Sequence, residues 1–288
     1  MDGLTARDPA FVRQLRTALR GQVREDEELA RYSTYRIGGT ATVVLPAGAE
    51  DVAIALREAH AAGVPWFAIG LGSNILLPDE GLDALWPLTD DGRLPVVADA
   101  SSCSHGLAGL ASALPAPDAS RWERVTVVDG AGQDNVLGRA DIPFSYRRSG
   151  LDGRIVLEAV VRLRPEKQAH LDEQIAEMFE WRQRGTPFNQ PCCGSVFKNP
   201  SGPSWKREEG PRTAGQLVEA AGLKGSRIGG AEVSSMHANY FVNTGGATAA
   251  DVRALIERVQ REVEAKYGVR LEPEVKLIGR WGEYLNPD

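Results

Sequence analysis

The chain has 288 residues, of which 42% are hydrophobic and 25% are charged. These proportions are ordinary for a soluble globular protein and exclude a disordered chain, a fibrous repeat and a coiled coil. The length indicates two domains, since about 100–200 residues per domain are usual. The net charge of −6 argues against broad binding to the phosphates of nucleic acids.

The cysteines and the N-terminus bear on where the protein works. The three cysteines, Cys103, Cys192 and Cys193, show neither CxxC nor a Cys/His zinc spacing. We therefore expect reduced thiols and no metal site. The N-terminal residues contain no apolar signal-peptide core, and no apolar run of about 18 residues follows. The sequence thus predicts a cytoplasmic protein without a membrane span.

Apolar periodicity indicates alternating helices and strands at the start of the chain. The predicted elements are helices over residues 9–21 and 50–62 and strands over residues 42–45 and 66–69. Gly63 follows the second helix, where a left-handed glycine commonly ends a helix. The second strand leads directly into the glycine-rich stretch 70–74. This order is typical of a domain that mixes both kinds of element.

The middle of the chain has little periodicity, and order returns after it. Residues 84–123 are rich in Ala, Ser, Pro and Asp, and no element is predicted there. Beyond them, the predicted elements are helices over 168–184 and 213–221, a long helix capped by Thr248 and Asp251, and strands over 125–128, 155–163, 240–243 and 275–278. In the helix over 168–184, we expect Ile175, Met178 and Phe179 to face inward.

Two glycine-rich loops in the first part of the chain are candidates for holding a phosphate. They are Ile37-Gly38-Gly39-Thr40 and Gly70-Leu71-Gly72-Ser73-Asn74. Glycine lets a backbone approach a ligand closely, and consecutive N–H groups bind phosphate oxygens. The alternative interpretation is that both loops are simply tight turns. Neither matches the Rossmann fingerprint or the P-loop, so a bound nucleotide would need another kind of fold.

Three residues stand in contexts that favour chemistry. Arg147 is flanked by aromatic and apolar residues, and it either binds a carboxylate in a pocket or lies on the surface. Ser195 lies between a glycine and an apolar pair and is suited to donating a proton to an enolate. Glu274 precedes the last strand, and it either projects into a cleft or lies on a solvated edge. A hydrolase that pairs Ser195 with His237 is a competing interpretation, although the serine does not stand in GxSxG.

Eight segments, in order, resemble the UDP-N-acetylenolpyruvoylglucosamine reductase (UDP-N-acetylmuramate dehydrogenase) family of flavoenzymes. The segments are TYRIGGTA (34–41), IGLGSNILLPDEG (69–81), PFSYRRS (143–149), GSVFKNP (194–200), AGQLVEAAGLKGSRIGGAEVS (214–234), HANYFVN (237–243), ATAADV (247–252) and LEPEVKLIG (271–279). They extend over most of the chain outside residues 82–141. The short stretch after GSVFKNP is similar to the compact class of the family.

The resemblance implies an α+β fold, with a two-lobed FAD-binding unit of the vanillyl-alcohol-oxidase (PCMH) type and a separate α+β substrate-binding domain. It divides the chain into residues 1–76 with 275–288 as the first FAD-binding lobe, 77–187 as a shortened second lobe, and 188–274 as the substrate domain. It implies an oxidoreductase in which NADPH reduces FAD, and flavin N5 then delivers hydride to the enolpyruvyl group of a UDP-sugar. The product is UDP-N-acetylmuramate, a peptidoglycan precursor. We expect a monomer without nucleic-acid or membrane partners.

The resemblance also implies roles for individual residues. Ser195 matches the proton donor, Arg147 the arginine that binds the substrate carboxylate, and Glu274 the acidic partner at that site. The residues matched to FAD binding are Tyr35, Ile37, Gly38, Gly39, Gly70, Gly72, Ser73, Asn74 and Arg227. The residues matched to substrate binding are Tyr146, Lys198, Asn199, Asn239 and Asn243.

One stretch departs from the family pattern. Family members carry a GIPGTxGGA…NAGA stretch whose backbone wraps the flavin pyrophosphate, whereas residues 82–141 contain no Gly-Gly pair and no Asn-Ala-Gly. The interval is also a few dozen residues shorter than expected. A deletion or a shifted reading frame would explain the departure, and so would a divergent but working variant. The alternative to an active reductase is a catalytically dead protein that still binds the sugar nucleotide.

Overall fold

The computed structural model describes residues 5–83, 85–87, 122–143, 150–151, 153–161, 167–200, 210 and 213–279. Cys103, Tyr146 and Arg147 lie outside the described residues. Helices and strands are interspersed along the described chain, which confirms the predicted α+β class. Each helix among the described residues is too short or too polar to cross a bilayer.

The first two predicted helices are both present, and the first ends at Ala18, three residues before its predicted end. Helix α1 (Pro9–Ala18) begins after Asp8, whose carboxylate accepts the N–H of Ala10 at 2.7 Å. Such a cap satisfies one of the backbone donors that a helix N-terminus leaves unpaired. Helix α2 (Ala49–Ala62) ends at Gly63, which is left-handed with a φ of 66°. The two helices share one apolar cluster, which fixes their packing against each other.

The first sheet contains a strand that apolar periodicity does not reveal. Strand β1 (Gln22–Glu28) pairs antiparallel with β2 (Thr40–Leu45). Val23 is the only apolar residue of β1, so the sequence pattern of this strand is that of a loop. Strand β2 also pairs with β4 (Leu85–Pro87), in this case in parallel. The apolar residues of β2 therefore determine the sheet, and β1 follows by backbone pairing.

The end of the described chain returns to its first half. The strand predicted over residues 66–69 is wrong, because Trp66 and Ile69 form isolated bridges there and no continuous strand develops. The strand instead follows the glycine-rich loop, as β3 (Ile75–Leu76). It pairs in parallel with the last strand of the described chain, Lys276–Leu277. The Lys276 N–H donates to the Asn74 carbonyl at 3.0 Å, which extends this pairing into the loop.

A second sheet lies in the middle of the chain. Its strands are β5 (Trp122–Asp129), β6 (Asp134–Gly138) and β7 (Arg154–Val161), in the spatial order β6–β5–β7. Both pairings are antiparallel. Val128 and Ile155 are buried in one cluster with apolar residues of α2, so this sheet packs on the back of that helix.

Helix α3 (Gln168–Gly185) corrects one prediction about its apolar residues. The sequence predicts that Ile175, Met178 and Phe179 face inward, but all three are exposed, and Phe179 retains 64% of its accessible surface. The prediction is wrong because helical spacing shows that apolar residues share a face, and it does not show what covers that face.

The C-terminal part is a compact α+β unit. Its elements are α4 (Ala214–Ala220), β8 (Arg227–Ile228), β9 (Ala231–Val233), β10 (Phe241–Asn243) and α5 (Ala249–Tyr267), followed by β11 (Lys276–Leu277). Thr248 and Asp251 form the predicted capping box at the start of α5, and Thr213 forms one at α4. The sheet order is β10–β9–β8.

One core crosses from the first half of the chain into this unit. Tyr35, Ile37 and Leu76 belong to the same buried cluster as the apolar faces of α4 and α5. Asp79 adds a polar link, because its carboxylate accepts the N–H of Ala249 at the start of α5 at 2.9 Å. The loops of the first half that carry the glycines are thereby fixed against the C-terminal unit.

The turn around Gly38 and Gly39 packs against the protein's own backbone. The Gly39 N–H donates to the Pro78 carbonyl at 2.9 Å. A Cβ added to Gly39 would lie 2.3 Å from the Asp79 carbonyl oxygen, which is far inside van der Waals contact. Gly70 differs, since a Cβ there would meet nothing within 4 Å. The first glycine pair therefore serves close packing, whereas Gly70 faces open space.

His237 is held in one protonation state by the turn before β10. Its Nδ1 accepts the main-chain N–H of Asn239 at 3.1 Å, so Nδ1 carries no proton. The ring lies edge-on to Tyr240, with 4.9 Å between ring centroids. Burial lowers the pKa of His237, and the nearby charge of Lys224 lowers it further, whereas Glu219 has the opposite effect. The folded protein thus favours the neutral imidazole.

Gly39→Ala tests the packing of the first glycine turn. We expect it to destabilise the fold by about 3 kcal/mol, because a backbone carbonyl in a packed turn has little room to move aside. Gly70→Ala is the matched control, and its free energy of unfolding should stay within about 0.5 kcal/mol of wild type. Urea unfolding followed by circular dichroism measures both. Equal stability of the two variants would contradict this packing.

The lowered pKa of His237 predicts a pH dependence of stability. Below about pH 6.5 the unfolded chain takes up a proton that folded His237 still excludes, so stability falls until the pH reaches the folded pKa. His237→Asn keeps an acceptor for the Asn239 N–H but does not titrate, and we expect a shallower loss of stability over this range. Chemical unfolding at a series of pH values measures it. The exposed His170→Asn is the control, and a slope unchanged in His237→Asn would refute the assignment.

Candidate active site

Three separate segments meet at one place in the structure. They are the turn Cys193–Ser195, the glycine-rich loop 70–74 and the stretch 272–275 before β11. The Glu274 N–H donates to the Val196 carbonyl at 2.7 Å, directly beside Ser195. A Cβ on Gly194 would lie 3.7 Å from the Ser73 carbonyl oxygen. Residues that are far apart in the sequence are therefore neighbours here.

The turn that carries Ser195 is defined by pairing on both of its sides. Before the turn, Cys192 bridges to Val242 of β10, and after it the Val196 N–H donates to the Asn239 carbonyl at 2.8 Å. The residues between are excluded from this pairing. Gly194, with a φ of +36°, makes the bend that moves them away from β10. Ser195 is partly exposed and so is accessible to a ligand.

Glu274 lies on the opposite edge of the same segment. Its side chain is buried, with 9% of the residue exposed, which is rare for a glutamate. Its carbonyl accepts the side-chain amide N–H of Asn74 at 3.0 Å. Asn74 therefore connects the glycine-rich loop to the stretch that holds Glu274.

The glycine-rich loop 70–74 is the part of the predicted cofactor site that remains open. Gly70 faces open space, Ser73 is partly exposed, and 67% of Leu71 is exposed, which is unusual for a leucine. Gly72 is instead buried in the turn, with a φ of 59° and its carbonyl bound by Thr34. This combination of an open backbone, a hydroxyl group and an exposed apolar side chain fits a planar, phosphate-bearing cofactor. The motifs do not single out Leu71, because exposure is not visible in a sequence.

Four of the residues predicted to bind the cofactor are packed against other parts of the protein. Tyr35 and Ile37 are buried in the core that joins the two halves, and Tyr35 has no accessible surface. Burial raises the pKa of Tyr35 well above its usual range, so the phenol stays neutral. The Gly38–Gly39 turn packs on residues 78–81. The contacts of these four residues with FAD stay a prediction.

Both predicted substrate asparagines of the HANYFVN segment have main-chain partners. The Asn239 side chain forms two hydrogen bonds with the backbone of Phe197 and is 4% exposed. The Asn243 amide donates to the Tyr35 carbonyl at 3.0 Å, and its oxygen accepts the N–H groups of Gly245 and Ala247. These hydrogen bonds stabilise the fold, and the contacts of both residues with the substrate stay a prediction.

The remaining predicted residues have partners on the surface of the C-terminal unit. Lys198 forms an ion pair with Glu272, and Arg227 forms one with Glu232. Asn199 accepts the N–H of Ala214 at 3.0 Å and so helps to cap α4. About a third of the Lys198 side chain is exposed, and its main-chain N–H donates to the carbonyl of Glu272 in the stretch 272–275.

The thiols and the histidine beside this region do not act as nucleophile or base. Cys192 and Cys193 are free. Burial raises the pKa of Cys192 to about 11 and that of Cys193 further, so both are thiols and not thiolates near neutrality. His237 uses Nδ1 to hold the Asn239 N–H. The hydrolase interpretation, which needed His237 as the base for Ser195, therefore loses its support.

Comparison with known proteins agrees with the geometry. Residues 186–278 match the family model described as UDP-N-acetylenolpyruvoylglucosamine reductase, C-terminal domain. The chain is 36% identical over 306 residues to the UDP-N-acetylenolpyruvoylglucosamine reductase of Halalkalibacterium halodurans, covering 93% of this chain and 98% of the relative. It is 34% identical over 307 residues to reductase 1 of Bacillus cereus, covering 94% and 99%.

A solved structure shows the same fold. The crystal structure of the reductase from Thermus caldophilus superposes with a TM-score of 0.68 and 26% identity, covering 90% of this chain and all of that chain. This likeness extends over both halves of the described fold.

The alignment also measures how much this chain lacks. The match to the Halalkalibacterium reductase extends over 306 positions, whereas 93% of 288 residues is about 268, so about 38 positions have no counterpart here. This shortfall is similar in size to the few dozen residues by which the interval containing residues 82–141 is shorter than the family pattern predicts. Apart from it, the relatives are matched over nearly their whole length, and the chain belongs to the UDP-N-acetylenolpyruvoylglucosamine reductase family.

Proposed function

We propose that this protein reduces UDP-N-acetylenolpyruvoylglucosamine to UDP-N-acetylmuramate, a peptidoglycan precursor, with FAD as its cofactor and NADPH as the source of electrons. The observation that carries the proposal is the meeting of Ser195, Glu274 and the loop 70–74 at one place in a member of this family. Relatives matched over almost their whole length bear the reductase name, which favours an active enzyme over a dead sugar-nucleotide-binding protein.

The loop 70–74 is assigned to the cofactor. Gly70 and Ser73 would hold FAD with their open backbone and hydroxyl group, and Leu71 would cover an apolar part of it. When bound, FAD supplies the hydride for the substrate after NADPH has reduced it. The Gly38–Gly39 turn stabilises the site indirectly, because it is hydrogen-bonded to the segment 78–81, which follows β3.

Ser195 is assigned to the proton. Reduction of the vinyl ether adds a hydride to one carbon of the double bond and a proton to the other. The electron pair left by hydride addition spreads onto the carboxylate as an enolate, which is basic enough to take a proton from a hydroxyl group. The O–H bond of Ser195 breaks as the new C–H bond forms, and the serine recovers its proton from solvent.

Glu274 and Arg147 are assigned to the charged end of the substrate. Negative charge builds on the carboxylate during hydride addition, and the planar guanidinium of Arg147 matches it with two parallel hydrogen bonds. A contact that strengthens in the transition state is typically worth about 3–4 kcal/mol. The buried Glu274 lies on the stretch that pairs with the segment after Ser195, and it holds the reacting end of the substrate in position. Arg147 lies outside the described residues, and its assignment depends on the segment PFSYRRS.

The reaction also indicates where the protein works. Its substrates are a UDP-sugar and NADPH, which are small cytoplasmic metabolites, and the free Cys192 and Cys193 fit a reducing compartment. A single chain contains the segments that meet at the site, so we propose a cytoplasmic monomer.

Ser195→Ala tests the proton donor directly. Flavin reduction by NADPH should keep its wild-type rate, whereas reoxidation by the enolpyruvyl substrate should slow by about 100-fold or more, because only the second half needs the proton. Stopped-flow absorbance at the flavin band separates the two halves. Ser234→Ala is the matched control, since it removes another hydroxyl of the same unit that is bound to the main chain. Equal slowing of both half-reactions would reject the role of Ser195.

Glu274→Gln tests the acidic partner. Glutamine has nearly the size and shape of glutamate, and the main-chain hydrogen bonds of residue 274 are kept, so the variant should fold while substrate-dependent reoxidation slows by at least about 10-fold. Glu272→Gln is the control, because this exposed glutamate lies on the same stretch and pairs only with the surface Lys198. The role of Glu274 is excluded if both variants reoxidise at the same rate.

A further inference from the structure

Asn239 holds the segment that follows Ser195 by three hydrogen bonds. The Val196 N–H donates to its main-chain carbonyl at 2.8 Å, and the Phe197 N–H donates to its Oδ1 at 3.0 Å. Its Nδ2 donates in turn to the Phe197 carbonyl at 2.8 Å. The side-chain amide thus pairs with residue 197 as a neighbouring strand would, at a point where β10 has not yet begun.

The opposite edge of this segment is occupied as well. The Val196 carbonyl accepts the N–H of Glu274, and the Lys198 N–H donates to the Glu272 carbonyl at 2.9 Å. Residues 196–198 are therefore fixed on one side by Asn239 and on the other by the stretch that carries Glu274. Without the side-chain amide of Asn239, Phe197 would lose both of these partners, while the main-chain hydrogen bond of Val196 would remain.

The position of Ser195 depends on this pairing because the turn before it is weakly constrained. Among the described residues, a Cβ on Gly194 would meet one atom within 4 Å, the Ser73 carbonyl oxygen, so their packing alone does not fix the bend. A proton donor must lie within hydrogen-bond reach of the atom that it protonates. Misplacement by about 1 Å is known to lower rates by about 100-fold.

Asn239 is itself oriented by a further residue. Its main-chain N–H donates to Nδ1 of His237, which leaves the asparagine main chain with both of its groups bound. The ring of His237 is in turn confined by Gly215 of α4, where a Cβ would lie 3.1 Å from Cε1. The support for the Ser195 segment therefore continues into the core of the C-terminal unit.

We propose that Asn239 is a positioning residue for the proton donor: its amide fixes residues 196 and 197 so that the Ser195 hydroxyl lies where the enolate carbon forms. The inference rests on the proposed function, because it gives Ser195 the proton. Asn239 does not touch the substrate, and it acts only through Ser195.

A double-mutant cycle tests this dependence. Asn239→Ala should slow substrate-dependent flavin reoxidation by about 10- to 100-fold and leave flavin reduction by NADPH unchanged. In the Ser195→Ala background the same substitution should change the reoxidation rate by less than about 2-fold, because no proton donor remains to be positioned. A residue with a merely structural role would give equal effects in both backgrounds, and that result would overturn the proposal.

Two further variants separate positioning from loss of stability. Asp51→Asn is the control for loss of stability. The buried Asp51 carboxylate, remote from Ser195, accepts the N–H groups of Arg20, Gly21 and Ala47. This variant should not slow reoxidation selectively. If Asn239→Ala fails to fold, Asn239→Asp takes its place, since it keeps Oδ1 for the Phe197 N–H and replaces the donor by an oxygen that repels the Phe197 carbonyl. If Ser195→Ala itself leaves reoxidation unchanged, the proposed function fails and not merely the role of Asn239. Equal slowing by Asp51→Asn and the Asn239 variant would also overturn the inference.

Discussion

The pairing of residues 196–198 between Asn239 and the stretch 272–275 is the constraint on which the site depends. These are backbone hydrogen bonds formed in a buried place, where leaving either partner unpaired costs about 1–3 kcal/mol. Because of this cost, residues 196–198 are stable in a single pairing register. Ser195 and Glu274 thereby become neighbours by main-chain geometry, before any contact between their side chains is considered.

The sequence predicts those elements whose apolar residues face one core. The long helix from Ala249 to Tyr267 has a capping box and a regular buried face, so its prediction is confirmed. Strand β1 escapes prediction because the backbone of β2 pairs with it whatever its side chains are. The predicted strand over 66–69 is wrong for the opposite reason, since its apolar residues form isolated bridges and no continuous ladder.

For the site, the sequence predicts which residues take part more readily than it predicts which way their side chains point. The motifs identify Ser195, Glu274 and the loop 70–74, which the structure brings together. The same motifs contain Tyr35 and Asn239, whose side chains point into the protein. A segment that a family shares contains two kinds of residue. Some bind the ligand, and others hold the ligand-binding residues in place. Which is which depends on burial and on where each amide or hydroxyl finds its partner.

The parallel pairing of β3 with β11 has a consequence for the biosynthesis of the protein. Ile75 and Leu76 leave the ribosome about 200 residues before Lys276 and Leu277, their partners. During translation the first half therefore has an incomplete sheet edge, and it exposes apolar surface for roughly 10–40 s at ordinary elongation rates. Folding of the amino-terminal half is thus completed only once residues 276–277 have been synthesised, and chaperones that shield nascent chains have a defined interval in which to act.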